Sequence, residues 1–442
     1  MCLRLIGDGM KKTELIVYYN NQLVGYWGKD ISQQYYFTYD DSWVNHKEGR
    51  PISLSLPFSS KKRTYNGAVV TTFFDNLLPQ SEAIRNRIRQ RYHAPSNSAF
   101  DLLHEIGRDC VGALQIIPKD EILPSQEKLT MVALNEQEIA SIIRGGSYSD
   151  AQQNIKEATW RISIAGEQEK TALLRFNNRW YTPTGVTPTT HICKFPLGKV
   201  GNVDLSDSVE IEWCTLQIYG LLGFPVAPSF IAYAEDERML CVERFDRAWN
   251  QEQTMISRIL QEDMCQVLSI PQANKYESDG GPGIKEISAI LRGSSNSNDN
   301  SLFFSSLFAH WLCASPDRHA KNYSIFIGKK GAYRLTPLYD LISAYPILGN
   351  KASQIAPQKL KMAMGISGKN KHYTWQRITN RHFRETGGKI GLPEKTIQDL
   401  FDFFYESIPI AINKMSDLIP KGFPQYIPDA IFAGLRKKRE EL

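Results

Sequence analysis

The sequence predicts an α+β protein, with a small N-terminal α/β subdomain followed by a body whose β-rich lobe precedes a mostly helical one. Length is the first observation behind this: 442 residues are too many for one core at roughly 100–200 residues per domain. Composition is the second. With 42% hydrophobic, 11% aromatic and 22% charged residues, the chain is neither disordered nor collagen-like nor fibrous. The third is periodicity, which is strand-like from residue 14 and again from 160, and helical from about 256 onward.

Taken in order, residues 14–27 hold two β-rich runs around Asn20-Asn21, which tolerate positive φ and so signal a hairpin. Residues 35–39 read as a strand, and 52–56 alternate as a half-buried strand should. Residues 69–78 and 82–92 read as helices and 110–117 as a buried strand. Together these make an α+β unit over residues 1–120. Residues 121–158 are more polar and form a connection with one helix at 136–144. The β-rich lobe, 159–250, has strands at 161–164, 171–176, 190–195, 229–233 and 239–244. Within it, residues 209–222 place apolar groups at three- and four-residue intervals, the mark of a helix. Residues 251–442 form the helical lobe, with its clearest helices at 302–314 and 396–407. The tract 293–301 is low in complexity and reads as a flexible loop.

The charge balance, 52 Lys+Arg against 47 Asp+Glu, is only +5 and does not by itself announce a nucleic-acid binder. Basic clusters at Lys61-Lys62-Arg63, Arg85/Arg87/Arg89/Arg91, Lys329-Lys330 and 436–439 read mostly as solvated face. No stretch reaches the ~18 apolar residues of a membrane span, and the start has no signal-peptide h-region. A second Met at position 10 leaves residues 1–9 as an upstream start or an extension. Seven cysteines, at 2, 110, 193, 214, 241, 265 and 313, are scattered without a C-x-x-C pair. That suits a reducing compartment, and a cytoplasmic protein is expected. Eight histidines without H-E-x-x-H spacing give no reason to expect a catalytic zinc.

The strongest local motif is Asp317-Arg318-His319-Ala320-Lys321-Asn322, between an apolar helix and the strand-like run 323–327. Asp and Asn five residues apart match a kinase catalytic loop, where the carboxylate takes the proton of a substrate hydroxyl and the amide oxygen holds Mg²⁺. Alone, such a turn is more often a solvated loop. Asp340 ends a short apolar run eighteen residues later, where a second metal-binding carboxylate is wanted; a helix cap is the plainer reading. Lys194, inside an apolar strand, must snorkel or pair with an anion. Glu212 follows eighteen residues on, in the first strongly helical segment. Order decides: strand Lys, helix Glu, Asp-x4-Asn loop and a further Asp follow the kinase succession. The body is therefore expected to be a two-lobed protein-kinase-like fold. Gly280-Gly-Pro-Gly283 lacks the phosphate-loop pattern and reads as a structural turn.

Over nearly its whole length the chain resembles the HipA family, toxin kinases of bacterial type II toxin–antitoxin modules. Carrying passages include Ser53-Leu-Ser-Leu-Pro57, Phe73-Phe-Asp-Asn-Leu-Leu-Pro79, Gly107-Arg-Asp-Cys-Val-Gly-Ala113 and Arg161-Ile-Ser-Ile-Ala-Gly-Glu-Gln-Glu-Lys170. Further on come Thr187-Pro-Thr-Thr-His-Ile192, Val242-Glu-Arg-Phe-Asp246, Gln261-Glu-Asp-Met-Cys-Gln266, Lys275-Tyr-Glu-Ser-Asp-Gly-Gly-Pro-Gly283 and the two Asp loops. The resemblance implies a serine/threonine protein kinase that uses ATP and Mg²⁺. Its substrate would be a translation component, glutamyl-tRNA synthetase in the best-known case, so an aminoacyl-tRNA synthetase is the expected protein target. The implied partners are a small helix-turn-helix antitoxin of the HipB type and, through that complex, operator DNA.

Carried over by position, Asp317 is the catalytic carboxylate, Asn322 and Asp340 hold Mg²⁺, and Lys194, paired with Glu212, meets the phosphates. Glu243 and Phe245 fit the lobe hinge that receives adenine, and Gln261 and His319 are further candidates for nucleotide contacts. Backbone N–H groups around Ala165 and Gly166 would cradle phosphate, with Lys170 assisting. That loop departs from the protein-kinase G-x-G-x-x-G, having one Gly. Ser163 corresponds to the family's autophosphorylation serine, and its phosphorylation is expected to abolish activity by setting about −1.5 to −2 charge beside the ATP phosphates. A non-catalytic corepressor that binds antitoxin and operator DNA is the alternative. A small-molecule kinase of the aminoglycoside type shares the Asp-x4-Asn loop without explaining the N-terminal unit.

Overall fold

The structure is a computed structural model that describes residues 14–59, 61–121, 128–145, 163, 165 and 168–442. The N-terminal unit is built on a five-stranded sheet in the order β4-β3-β2-β1-β5. Its strands are β1 (Glu14–Tyr19), β2 (Gln22–Lys29), β3 (Tyr35–Tyr39), β4 (Thr64–Asn66) and β5 (Leu114–Pro118). Asn20 and Asn21, at φ 45° and 64°, turn the β1–β2 hairpin, as an Asn pair can because its short polar side chains tolerate the left-handed region. A short helix α1 (Asp41–Val44) follows β3, and α2 (Ala68–Asp75), α3 (Glu82–Tyr92) and α4 (Ala99–Ile106) complete the unit. Ser81 and Ser98 start α3 and α4 by accepting backbone N–H bonds on their hydroxyls. Trp27, stacked on Phe74 at 3.8 Å between ring centroids, lies at the centre of this core.

The strand expected at 52–56 is a turn. Leu56 N–H closes back on the Ser53 carbonyl, and the Ser53 and Ser55 hydroxyls bond each other at 2.7 Å. Serine side chains offer the backbone an alternative to ladder pairing, and the flanking Pro51 and Pro57 lack the N–H a ladder needs.

The β-rich lobe is a six-stranded sheet ordered β12-β13-β9-β7-β8-β6. It comprises β6 (Met131–Ala133), β7 (Lys170–Phe176), β8 (Arg179–Pro183), β9 (His191–Lys194), β12 (Ser229–Ala234) and β13 (Glu237–Glu243), with α5 (Glu136–Gly145) packed on it. A small hairpin, β10 (Gly198–Val200) and β11 (Val203–Leu205), leads into α6 (Ser208–Leu221). The strand expected at 161–164 lies outside the described residues apart from Ser163.

The helical lobe contains α7 (Met264–Val267), α8 (Ile284–Leu291), α9 (Asp299–Leu312), α10 (Asn380–Lys389), α11 (Glu394–Leu418) and α12 (Tyr426–Arg439). From residue 247 onward the chain also holds more strand than its periodicity announces. The pairs are β14 (Arg247–Trp249) with β15 (Ile256–Arg258), a three-stranded sheet β16-β17-β18 (Gln261–Asp263, Ser324–Ile327, Tyr333–Leu335), and β19 (Lys361–Ser367) with β20 (Lys371–Thr374). Most of these runs span only three or four residues, too few to establish a period of two. The tract 293–301 ends sooner than expected, because Asp299–Ser301 already form the first turn of α9. Among the described residues no helix is long and apolar enough to cross a membrane, and six cysteines are free and buried. Two basic clusters are less solvated than expected: Arg85 is buried against Asp75 at 2.8 Å, and Lys438 lies over the rings of Trp311 and Trp375.

The N-terminal unit is joined to the body through buried polar contacts. Glu262 of β16 accepts from the Ser53 hydroxyl at 2.5 Å and the Leu54 N–H at 2.7 Å. Asp109, at the end of the unit, is ringed by Arg247 at 2.8 Å, Arg258 at 3.1 Å and Arg244 at 3.3 Å, with Asp246 beside them. Leu260 and Ile327 of the body pack into the unit's own apolar core.

Candidate active site

Two adjacent strands of the β-rich lobe carry the two lysines of the site. β7 and β9 are antiparallel with Lys170 directly opposite Lys194, so both side chains leave the same face. The Lys194 ammonium is 2.6 Å from Glu212 Oε1 on α6 and also pairs with Asp340. Burial alone would lower the Lys194 ammonium; Asp340 and then Glu212 overturn this and hold it above the usual lysine value. Burial raises Glu212, opposed by Lys194. Asp340, though desolvated, is held far below the usual carboxylate range by Lys194 and Lys170. Lys170 is drawn down to about 8 by burial, against the pull of Asp340, and donates to the Ala165 carbonyl at 3.2 Å.

Asp340 caps no helix. It sits at φ 59°, in the left-handed region that Asp enters more readily than most residues, and the chain after it continues without helical structure for several residues. The turn aims its carboxylate back at β9.

The loop Asp317–Asn322 is scaffolded by its own Arg. The Arg318 guanidinium donates to the Tyr339 carbonyl at 2.5 Å and to the Asn322 carbonyl, and lies over the Tyr323 ring at 4.4 Å. It thereby ties the loop to the segment that presents Asp340. The Asn322 amide donates to the Asp317 carbonyl at 2.6 Å, which fixes its orientation and leaves the oxygen for another partner. Asp317 is open to solvent, its side chain 59% exposed, with Tyr276 and His319 packed beside it. Desolvation raises its carboxyl above the ordinary value, against the Tyr276 hydroxyl, which donates to Oδ1 at 2.6 Å. His319 Nε2 stands 3.9 Å from the same oxygen, and its buried Nδ1 has no hydrogen-bond partner. Burial pulls this imidazole down to about 3, so it is neutral at physiological pH.

The segment expected to form the lobe hinge follows β13. Glu243 is exposed, with its N–H on the Pro228 carbonyl at 2.8 Å. Phe245 packs between Phe326 and Tyr339, each 5.7 Å away between ring centroids. Gln261 pairs across the ladder with Phe326, and its buried Oε1 has no partner. Ser163 is wholly buried, its hydroxyl on the Leu77 carbonyl at 2.7 Å and its N–H on the Asp109 carbonyl at 3.2 Å. Gly166 lies outside the described residues.

The structure thus brings Lys194, Glu212, Asp340 and Lys170 together, and joins Asp317, His319 and Asn322 to them through Arg318. Among the described residues no group of three or more His, Cys, Asp or Glu could hold a metal ion. Asn322 and Asp340 fit Mg²⁺ in a different manner, as two hard oxygen donors that leave the remaining positions to phosphate and water. Sequence reasoning missed Tyr276, Tyr339 and Asn76. Tyr339 carried a signal in its position beside Asp340. Tyr276 lies 41 residues from its partner and Asn76 lies 245 from Lys321, so no local spacing marks either.

Comparison with known proteins bears on the same residues. The family model for a HipA-like C-terminal domain matches residues 162–412, and that for a HipA N-terminal domain matches residues 15–117. The chain is 28% identical over 415 residues to the Y4mE protein of Sinorhizobium fredii, covering 91% of this chain and 93% of that one. It is 27% identical over 318 residues to a serine/threonine-protein kinase toxin, HipA, of Shewanella oneidensis, covering 69% of each. A solved structure described as the Shewanella oneidensis toxin–antitoxin system HipA, HipB and its operator DNA complex superposes with TM-score 0.77 at 20% identity, over 96% of this chain and 97% of the other. That likeness establishes a shared fold.

Proposed function

The chain belongs to the HipA family, and from that premise we propose that it is an ATP- and Mg²⁺-dependent serine/threonine protein kinase, the toxin of a type II toxin–antitoxin pair. The observation that carries the reading is the Lys194–Glu212–Asp340 cluster linked through Arg318 to the loop bearing Asp317 and Asn322. In this reading the β-rich lobe, residues 159–250, and the helical lobe, 251–442, share the cleft. The N-terminal unit, 1–120, braces it, and the connection, 121–158, contributes β6 and α5 to the β-rich lobe itself.

Lys194, with Lys170 beside it, receives the phosphates, and Glu212 keeps Lys194 in place. Phe245, Gln261 and the backbone at Glu243 receive the base, with Ala165, Gly166 and His319 near the phosphates. Asn322 and Asp340 would hold Mg²⁺, which when bound neutralises charge on the phosphate oxygens. The Asp317 carboxylate accepts the proton of an acceptor hydroxyl. That oxygen then bonds to the γ-phosphorus while the bond to the β-bridging oxygen breaks, and ADP leaves with the electron pair. Such positioned proton acceptance contributes on the order of 10²–10⁴ in rate.

The acceptor protein proposed is an aminoacyl-tRNA synthetase, and Ser163 is proposed as the site of self-modification. A HipB-like helix-turn-helix antitoxin and operator DNA are the proposed partners, in the cytoplasm, supported by the composition of the Shewanella oneidensis complex. Transfer of labelled γ-phosphate from Mg·ATP by the wild type but not by Asp317→Asn tests the reading. No transfer by unphosphorylated wild type, with antitoxin and DNA still bound, would leave a corepressor instead.

A further inference from the structure

The segment 274–283 has no role in the proposed phosphoryl transfer, yet it is built against the loop that carries Asp317. The Ala320 N–H donates to the Lys275 carbonyl at 3.2 Å. The next residue, Tyr276, sets its ring edge-on to His319 at 4.9 Å between centroids and 84°, and its hydroxyl on Asp317 Oδ1 at 2.6 Å. Among the described residues this is the only hydrogen bond made to the Asp317 carboxylate.

The glycines of the segment serve this placement. Gly280 turns the chain at φ 86°, in the region glycine enters without steric cost. The Gly281 N–H returns to the Tyr276 carbonyl at 2.9 Å, and a Cβ at Gly281 would stand 2.0 Å from the Asn274 carbonyl oxygen. A Cβ at Gly283 would stand 2.1 Å from Glu277 Oε1. The Glu277 carboxylate is in turn held by the Gly365 N–H at 2.5 Å and by Lys371, so it has little room to yield.

We infer that Tyr276 is the positioning residue for Asp317: its hydroxyl occupies one carboxylate oxygen, and the glycine-rich loop exists to hold it there, so that the other oxygen alone faces the acceptor hydroxyl. This rests on the kinase reading. A carboxylate free to rotate spends less time aligned with the hydroxyl it must deprotonate, and misplacement by about 1 Å can cost about 10²-fold in rate.

The test compares wild type, Tyr276→Phe, Gly281→Ala and Asp317→Asn as full chains. It measures the rate of labelled γ-phosphate incorporation from Mg·ATP into the chain itself and into a bacterial lysate, and the affinity for a fluorescent ATP analogue. Tyr276→Phe keeps the ring on His319 and removes only the hydroxyl. The expected result is a kcat lowered about 10- to 100-fold with KM for ATP and analogue affinity unchanged, and Gly281→Ala moving the same way. A Tyr276→Phe rate equal to wild type overturns the assignment while leaving the kinase reading intact. A wild type that transfers no more than Asp317→Asn overturns both.

Discussion

The Lys321 ammonium lies 2.8 Å from the side-chain oxygen of Asn76, so the residue next to Asn322 is held by the N-terminal unit. Its other partner is Asp263, at 2.6 Å. Removing the ammonium by Lys321→Met leaves Asp263 buried without a cation, a change that costs about 3–5 kcal/mol. Asn76→Ala leaves that ion pair in place and should cost about 1–3 kcal/mol. Urea unfolding of the two variants checks the order, and equal losses would refute it.

Lys194 and Glu212 should behave as one unit. Lys194→Met is expected to weaken ATP binding by about tenfold or more, and Glu212→Gln by less, since Glu212 acts through Lys194. In the double variant the losses should not add, with a coupling of about 0.5–3 kcal/mol. Titration with a fluorescent nucleotide measures all four corners of the cycle.

Asp317→Asn should lower the transfer rate by about 10²–10⁴, or about 3–5.5 kcal/mol in barrier height, with nucleotide affinity kept. Asp340→Asn should instead raise the Mg²⁺ concentration needed for half-maximal rate. If both variants shifted the Mg²⁺ requirement alike, their separate roles would be wrong.

Glu262 supplies a pH dependence. Burial pushes its carboxyl from 4.5 up to about 8, against the bonds from Ser53 and Leu54. The folded state therefore binds this proton more tightly than the unfolded chain. Its contribution to stability is fully present below about 4.5 and is lost as pH rises through about 8, amounting to at most a few kcal/mol. Glu262→Gln keeps an oxygen for Leu54 and should flatten the fall between pH 5 and 8, as read by unfolding at several pH values.

Ser163 has no room for a phosphate where it stands, being fully buried with its hydroxyl on Leu77. Ser163→Ala should bind nucleotide as the wild type does and lose about 0.5–1.5 kcal/mol of stability. Ser163→Asp must vacate the position and should weaken nucleotide binding by about tenfold or more. Equal nucleotide affinity in the two variants would count against the serine as a switch.

Much of this site was legible because its chemistry is written at short range. Asp317 to Asn322 spans one turn, and Lys194 to Glu212 spans one short hairpin and the start of the next helix. The hairpin at Asn20-Asn21 and the helices 82–92 and 302–314 follow from residue type and period alone. What stayed hidden depends on distant partners. Residues 52–56 alternate as a strand does, but Ser53 is claimed by Glu262, 209 residues away. Asp340 resembles a helix cap because nothing nearby discloses its positive φ. The strands between 247 and 374 are mostly shorter than the window that reveals a period.

The ring of arginines around Asp109 has a consequence for how the protein is made. Asp109 leaves the ribosome more than 130 residues before Arg244, Arg247 and Arg258, which neutralise it in the finished chain. Leu260 and Ile327, which complete the core of the first unit, emerge later still. The nascent N-terminal unit therefore waits, at about 5–20 residues per second, with an unmet carboxylate and an uncovered apolar face. The first unit reaches its final packing only when translation is about three-quarters done, and until then its uncovered apolar face is open to chaperone capture.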